Sequence, residues 1–279
     1  MISGRGSELV SFFLIVLIAT MPVLAFGNAE RVRGTLVVTV PVSSGLVTCA
    51  DKRLFNVEAG TYTDNNIKIR KVNDRTLFVA TSTVGFYDRK NKSMAFDAFA
   101  VVEKFAIRTR FEESGAFWDG LKKEIREQLR LYFSTHSYAE WPETDIANNK
   151  LLFNLIFYSL TDGRARGHTI QVFYEKKRSP IINVIGPTHE EVRSPRLTGK
   201  GKELIAYLAR NPALAADPSI EKFDAGRFDI AQTSTSDVVN FSRTLFRIAN
   251  TGIPSAQISA TFDCAELTIQ NGFRWIEGG

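Results

Sequence analysis

The sequence predicts a mixed α/β protein folded as one domain, with strands at the start, a helix, more strands, then helices and closing strands. Two patterns carry this expectation. β-Branched apolar runs of strand length alternate with Gly, Asn-Asp and Asn-Gly turn signals, and longer stretches repeat apolar residues at helical spacing. Size agrees, because 279 residues that are 44% apolar and 23% charged can bury one large core.

Residues 1–29 read as a signal peptide. Arg5 and Glu8 precede the uncharged run from Leu9 to Ala25, and cleavage after Ala25 or Ala29 suits the small-residue rule. Export to a periplasm or the medium is therefore expected. The run sits at the short edge of what spans a bilayer, so a retained anchor through residues 9–25 is the alternative. Residues 30–34 form a short pro-segment or extension, and 35–279 a single domain.

Leu36 to Val42 and Leu46 to Ala50 flank Ser43-Ser44-Gly45 as a hairpin, and Lys68 to Val72 with Leu77 to Thr81 form a second around Asn73-Asp74-Arg75. Met94 to Phe111 aligns Phe96, Phe99, Val102 and Phe105 and is read as a helix. Phe117 to Phe133 is a stronger one, with Phe117, Leu121, Ile125, Leu129 and Tyr132 on one stripe. Leu151 to Leu160, Thr169 to Tyr174 and Ile181 to Ile185 read as three strands. Lys202 to Arg210 and Asp237 to Ala249 are helices, the second capped from Ser234 to Ser236. The stretch from Ala213 to Gln232 is expected as loop or irregular helix. Ala256 to Phe262, Ala265 to Ile269 and Phe273 to Ile276 are the last strands.

The formal charge of +5 is mild and its basic residues are dispersed, so no nucleic-acid partner is expected. Cys49 and Cys264 could pair in an exported protein, although two free buried thiols on interior strands are the expectation. His136, His168 and His189 lack partners at metal-ligand spacing, so neither metal nor cofactor is expected.

The chemistry-bearing stretch runs from Gly34 to Lys71. It reads Gly34-Thr35, an apolar run, Gly45-Leu-Val-Thr-Cys-Ala-Asp51-Lys-Arg53, then Asn65-Asn-Ile-Lys68-Ile-Arg-Lys71. This pattern resembles the start of proteasome-type subunits, a family of N-terminal nucleophile hydrolases that includes HslV-like members. The resemblance implies a four-layer αββα sandwich, cleavage between Gly34 and Thr35, and Thr35 as nucleophile with its own α-amine as base. A threonine hydroxyl must pass its proton to a base to attack, and an α-amine of pKa about 7.7–8.0 can take it. Lys68 would supply positive charge beside the hydroxyl, and Asp51 would hold Lys68.

Other parts of the chain depart from that family. Its Gly-Ser-Gly turn corresponds to Ile185-Gly186-Pro187-Thr188, where only Thr188 could replace the serine. Its Asp-x-x-Ser-Gly segment corresponds to Gly252-Ile-Pro-Ser255-Ala, which keeps Ser255 as a supporting site residue and loses the aspartate. Its oxyanion glycine corresponds to Ser82, and the base of its specificity pocket to Ala80. The expected function is an exported threonine-type peptidase or amidase acting on peptides or small amides, with a homo-oligomer possible. An ATP-driven unfoldase is not expected outside the cytoplasm. The alternative is a catalytically inactive binding or assembly module of the same fold.

Overall fold

The longest strand organises the larger of two sheets. In the computed structural model, which describes residues 29–34, 36–56, 59–88, 91–135, 150–175, 181–224, 226–253 and 257–277, strand β7 spans Thr76–Asp88. Its first half pairs with β6 (Ile69–Asn73) and β9 (Lys150–Thr161), and its second half with β1 (Ala29–Gly34) and β8 (Ser93–Asp97), all antiparallel. Beyond β9 lie β10 (Arg164–Glu175) and β11 (Ile181–Glu191), and beyond β1 lie the short strands β4 (Leu54–Asn56) and β5 (Thr61–Thr63).

The second sheet runs β12 (Arg196–Gly199), β2 (Leu36–Val42), β3 (Gly45–Asp51), β13 (Phe262–Thr268) and β14 (Gly272–Glu277), again antiparallel. The β2–β3 turn needs its glycine. Gly45 has φ +151°, and a Cβ there would lie 2.0 Å from the Leu267 carbonyl oxygen.

Six α-helices accompany the sheets among the described residues: α1 (Ala98–Thr109), α2 (Gly115–Thr135), α3 (Gly201–Arg210), α4 (Pro212–Ala215), α5 (Pro218–Glu221) and α6 (Thr235–Gly252). The chain is thus a mixed α/β structure with two antiparallel sheets. Three apolar clusters fill it. Phe78, Phe86, Phe153 and Phe157 of the larger sheet pack on Phe99 and Val102 of α1 and Trp118, Leu121 and Leu129 of α2. Val38, Val40 and Cys49 of the smaller sheet pack on Leu204 of α3 and Val238, Leu245 and Phe246 of α6. Val37, Leu46, Ala50 and Leu267 of the smaller sheet meet Ile69, Leu77, Val79 and Ile156 of the larger. Strands β2 and β3 are buried on both faces for this reason, which explains their unbroken apolar runs.

Several expectations need correction. Met94 to Phe111 is not one helix: Ser93–Asp97 pairs with β7, and α1 begins only after Asp97, whose Oδ1 accepts from the amides of Phe99 (2.8 Å) and Ala100 (3.3 Å). A polar residue that caps a helix ends the strand before it. Residues 185–188 are no turn but lie within β11, where Thr188 pairs with Thr169 on an outer strand. Residues 257–261 are not a strand; Ile258 and Ser259 are buried by contacts described below. The stretch Ala213 to Gln232 contains two single-turn helices and a 3₁₀ turn, Ile230–Gln232.

The histidines are not isolated. His168 Nδ1 lies 2.7 Å from His189 Nδ1 across the β10–β11 pair, and its Nε2 lies 3.0 Å from Ser159 Oγ and 3.4 Å from Glu113 Oε1. Burial holds the His168 imidazole below its usual pKa, against the pull of Glu113. His136 lies outside the described residues.

The cysteines are joined, contrary to the expected free thiols. Cys49 and Cys264 sit directly opposite on β3 and β13 and form a disulfide spanning a sequence separation of 215. Both are fully buried. Replacing both by serine should lower stability by roughly 2–5 kcal/mol, read as the urea midpoint with and without dithiothreitol. A midpoint equal to that of the oxidised wild type would show that the bridge stabilises nothing.

Candidate functional site

The chain is in the larger sheet at Gly34, which pairs with Ser82, and in the smaller at Leu36, which pairs with Gly199. Thr35 itself lies outside the described residues, as does Ser255. Of residues 1–29, expected as a signal peptide, 1–28 are also outside them; among those described no helix is long and apolar enough to cross a membrane. Residues 30–34, expected as a pro-segment or extension, are part of β1, held between β7 on one side and β4 on the other.

Asp51 and Lys68 come together beside that crossing. Lys68 precedes β6 in the larger sheet, and Asp51 ends β3 in the smaller. Lys68 Nζ donates to Asp51 Oδ2 at 3.2 Å and to the Arg53 carbonyl. Both side chains are almost completely buried, at 1% and 0% exposure. Asp51 Oδ1 accepts from the Leu36 amide at 2.9 Å, and Oδ2 also accepts from Arg53 N (3.1 Å) and Ser259 N (3.3 Å). An ionised carboxylate tolerates burial only with such multiple donors. Desolvation is the main influence on Lys68 and lowers its pKa to about 8, although Asp51 opposes it.

Sequence reasoning found Asp51, Lys68 and Arg53 but missed what completes the site. Arg53 binds Asp64 through Nε–Oδ1 and Nη2–Oδ2, each 2.7 Å, and donates Nη1 to the Ile258 carbonyl at 3.3 Å. The hydrogen bonds of this pair lower Asp64 and raise Arg53 from their usual pKa values. Ser259 belongs to the described part of the segment after α6 and reaches Asp51 through its amide. Its Oγ also lies 2.7 Å from Thr261 Oγ1. No motif marks Ser259 or Asp64, since each is fixed by an approach far apart in sequence.

Ser82 stands at the point where β7 changes partners. It pairs with Gly34 on one edge and Phe153 on the other. Its φ is +73°, a left-handed conformation that costs a side-chain-bearing residue about 1–2 kcal/mol. Glycine adopts it freely, so the serine introduces strain at that corner. Ala80, expected at the base of a pocket, is wholly buried in the cluster beneath α1 and α2. Among the described residues no group of three or more His, Cys, Asp or Glu could hold a metal ion.

Chemically, the arrangement places a buried cation and its carboxylate next to the backbone that follows Thr35. Such a cation favours a neutral amine and an oxyanion nearby. The sequence matches no protein-family model, and no curated protein matches it. Among solved structures the chain is similar to one described as the Anbu (Gly-1) mutant from Hyphomicrobium sp. strain MC1, at 15% identity, 88% coverage of this chain, 87% of that one and a TM-score of 0.47. Likeness at this level carries no functional inference.

Two outcomes follow from the burial. Lys68→Met should destabilise the fold by about 3–5 kcal/mol because it strands the Asp51 carboxylate, and adding Asp51→Asn should recover much of that loss. A double-mutant cycle by urea unfolding measures the coupling; strictly additive effects would contradict it. Between about pH 8 and the ordinary lysine value of 10.5, the unfolded chain keeps a proton that folded Lys68 has lost, so Lys68 makes stability rise with pH across that window. Lys68→Met should flatten this slope. Ser82→Gly should stabilise by roughly 0.5–1 kcal/mol, the relieved strain less the extra freedom of the unfolded chain.

Proposed function

We propose that this chain is an exported N-terminal nucleophile amide hydrolase of the four-layer αββα type, of proteasome-like threonine class. Thr35 becomes the nucleophile after the bond to Gly34 is cut. One observation carries the proposal: the buried Asp51 carboxylate simultaneously holds Lys68 and the amide of Leu36, the residue that follows Thr35. The three apolar clusters support the αββα layering, with helices outside both sheets. The Cys49–Cys264 disulfide fits an oxidising compartment and so supports export.

The proposed chemistry begins with a free amine. While Gly34 is attached, the nitrogen of Thr35 is an amide and cannot act as a base. After cleavage the amine accepts the Thr35 hydroxyl proton and the alkoxide attacks the substrate carbonyl. An ester intermediate forms as the amine leaving group departs with a proton, and water then hydrolyses the ester. Lys68 as an ammonium favours the neutral amine, while Asp51 positions it. The N–H of Ser82 is the proposed oxyanion donor, and Ser255 keeps its proposed supporting role.

A second reading has its own observation. Residues 29–34 pair along β7 from Gly34↔Ser82 to Ala29↔Asp88 and pair with β4 as well. A segment so integrated favours an inactive module in which β1 is a permanent strand.

Mass measurement of the mature protein separates the two. The hydrolase should begin at Thr35, and Thr35→Ala should keep residues 30–34. Active material that stably begins at Phe26 or Glu30 would sink the mechanism. Activity should peak near pH 8, because the α-amine must be neutral and Lys68, lowered to about 8, must be charged. Rate measurements across pH 6–10 test this; a rate still climbing well above pH 9 would remove Lys68 from its role.

A further inference from the structure

A cavity of about 750 Å³ opens beside β1, within the range of sites that enclose a drug-sized ligand. Leu54 of β4, Ile67, Val84 and Tyr87 of β7, Met94 of β8 and Phe99 of α1 make its apolar wall. Tyr62 forms another part of that wall and stacks beneath Arg53, whose guanidinium lies 4.0 Å from the ring centre. Arg53 in turn donates its amide to Asp51, so the cavity adjoins the buried ion pair through one side chain.

On the β4–β5 side the lining is polar, with Asn56, Thr61, Thr63 and Asn66; Arg70, Lys92 and Asp97 are its charged groups. Arg70 lies over the Phe99 ring at 5.4 Å, and its Nε is buried without a hydrogen bond. Glu103, which does not line the cavity, forms an ion pair with that nitrogen at 3.4 Å without making a hydrogen bond. Lys92 stands exposed at the rim. Asp97 also lines the cavity, but its Oδ1 accepts from two amides at the start of α1, a place where negative charge is already compensated. A buried guanidinium N–H without a hydrogen bond, beside the apolar wall of Leu54, Ile67, Val84 and Phe99, suits an acceptor carried on an apolar body.

We propose that this cavity binds an acyl chain bearing a carboxylate, with the chain along Leu54, Val84, Met94 and Phe99 and the carboxylate on Arg70. Binding does not depend on Thr35. Use of the cavity as the acyl pocket of a hydrolysed amide rests on the role proposed for Thr35, and would make N-acyl amides with a carboxylate-bearing acyl group the substrate class.

The test is calorimetric titration of the full chain carrying Thr35→Ala, which cannot react, with hexanoate, octanoate, decanoate and decyltrimethylammonium. Affinity should rise about fourfold per methylene along the carboxylates, and decanoate should bind at least tenfold more tightly than the ammonium of equal chain length. Leu54→Trp should abolish binding by filling the chamber. Arg70→Met should erase the preference for the carboxylate while keeping the chain-length dependence. Both positions are only half-buried, and thermal unfolding checks that each variant folds. No measurable decanoate binding, equal affinity for the two head groups, or unchanged binding in Leu54→Trp would overturn the proposal. None of these results depends on whether Thr35 is a nucleophile, which the mature N-terminus decides separately.

Discussion

The buried pair of Lys68 and Asp51 is the interaction on which the rest of the site depends. Burying a carboxylate and an ammonium costs several kcal/mol for each ion, and their attraction offsets that only when other hydrogen bonds complete the shell. Here Asp51 receives Leu36, Arg53 and Ser259 amides as well as Lys68. Those donors come from β2, the turn after β3, the segment after α6 and the residue just before β6. One carboxylate therefore joins both sheets and the stretch around Ser259 between α6 and β13. An apolar pair of similar volume could fill the space, but it could not specify the position of four separate backbone segments. The polar pair is better explained by that positioning than by stability.

The same corner sets the geometry of β7. Strands β6 and β1 follow one another along one edge of β7, and β9 and β8 along the other, with the exchange near Ser82. The exchange coincides with the left-handed φ of Ser82. Gly34 lies opposite Ser82 and the chain leaves the sheet one residue later, so the strain and the crossing meet at the same point. Strain concentrated where a reactive bond would lie is a pattern of functional sites, and here it is borne by a serine where glycine would be relaxed.

Much of this was legible in the sequence because it is local. Alternating turns and β-branched runs marked β2, β3, β6 and the start of β7, and the Phe117 to Tyr132 stripe marked α2. The resemblance of the Gly34 to Lys71 stretch to proteasome-type subunits singled out Asp51 and Lys68, which the fold brings to 3.2 Å. Three kinds of information were not local. Met94 to Phe99 carries apolar residues that satisfy a strand followed by a helix as well as one helix, and only the capping role of Asp97 decides between them. Cys49 and Cys264 are paired by the register of β3 on β13 across most of the chain, which composition cannot show. Ser259 and Asp64 enter the site by hydrogen bonds to Asp51 and Arg53 that no periodicity encodes.

The integration of β1 bears directly on how a hydrolase of this design would be switched on. Cutting the chain after Gly34 frees an amine but leaves the ladders to β7 and β4 in place. What changes is the tether. While attached, β1 meets its partners at the high effective concentration that a covalent link provides, on the order of millimolar even for flexible links; once cut, it must hold by its own affinity. A six-residue strand has lost that advantage and must also repay the freedom it gains on leaving. Cleavage and vacancy are therefore separate events, the first chemical and the second governed by dilution. A chain cut but still occupied would carry the free amine of Thr35 behind a filled slot in the sheet. Its activity would be limited by departure of the strand, so that the short peptide, and not the new N-terminus alone, would determine when the site becomes accessible.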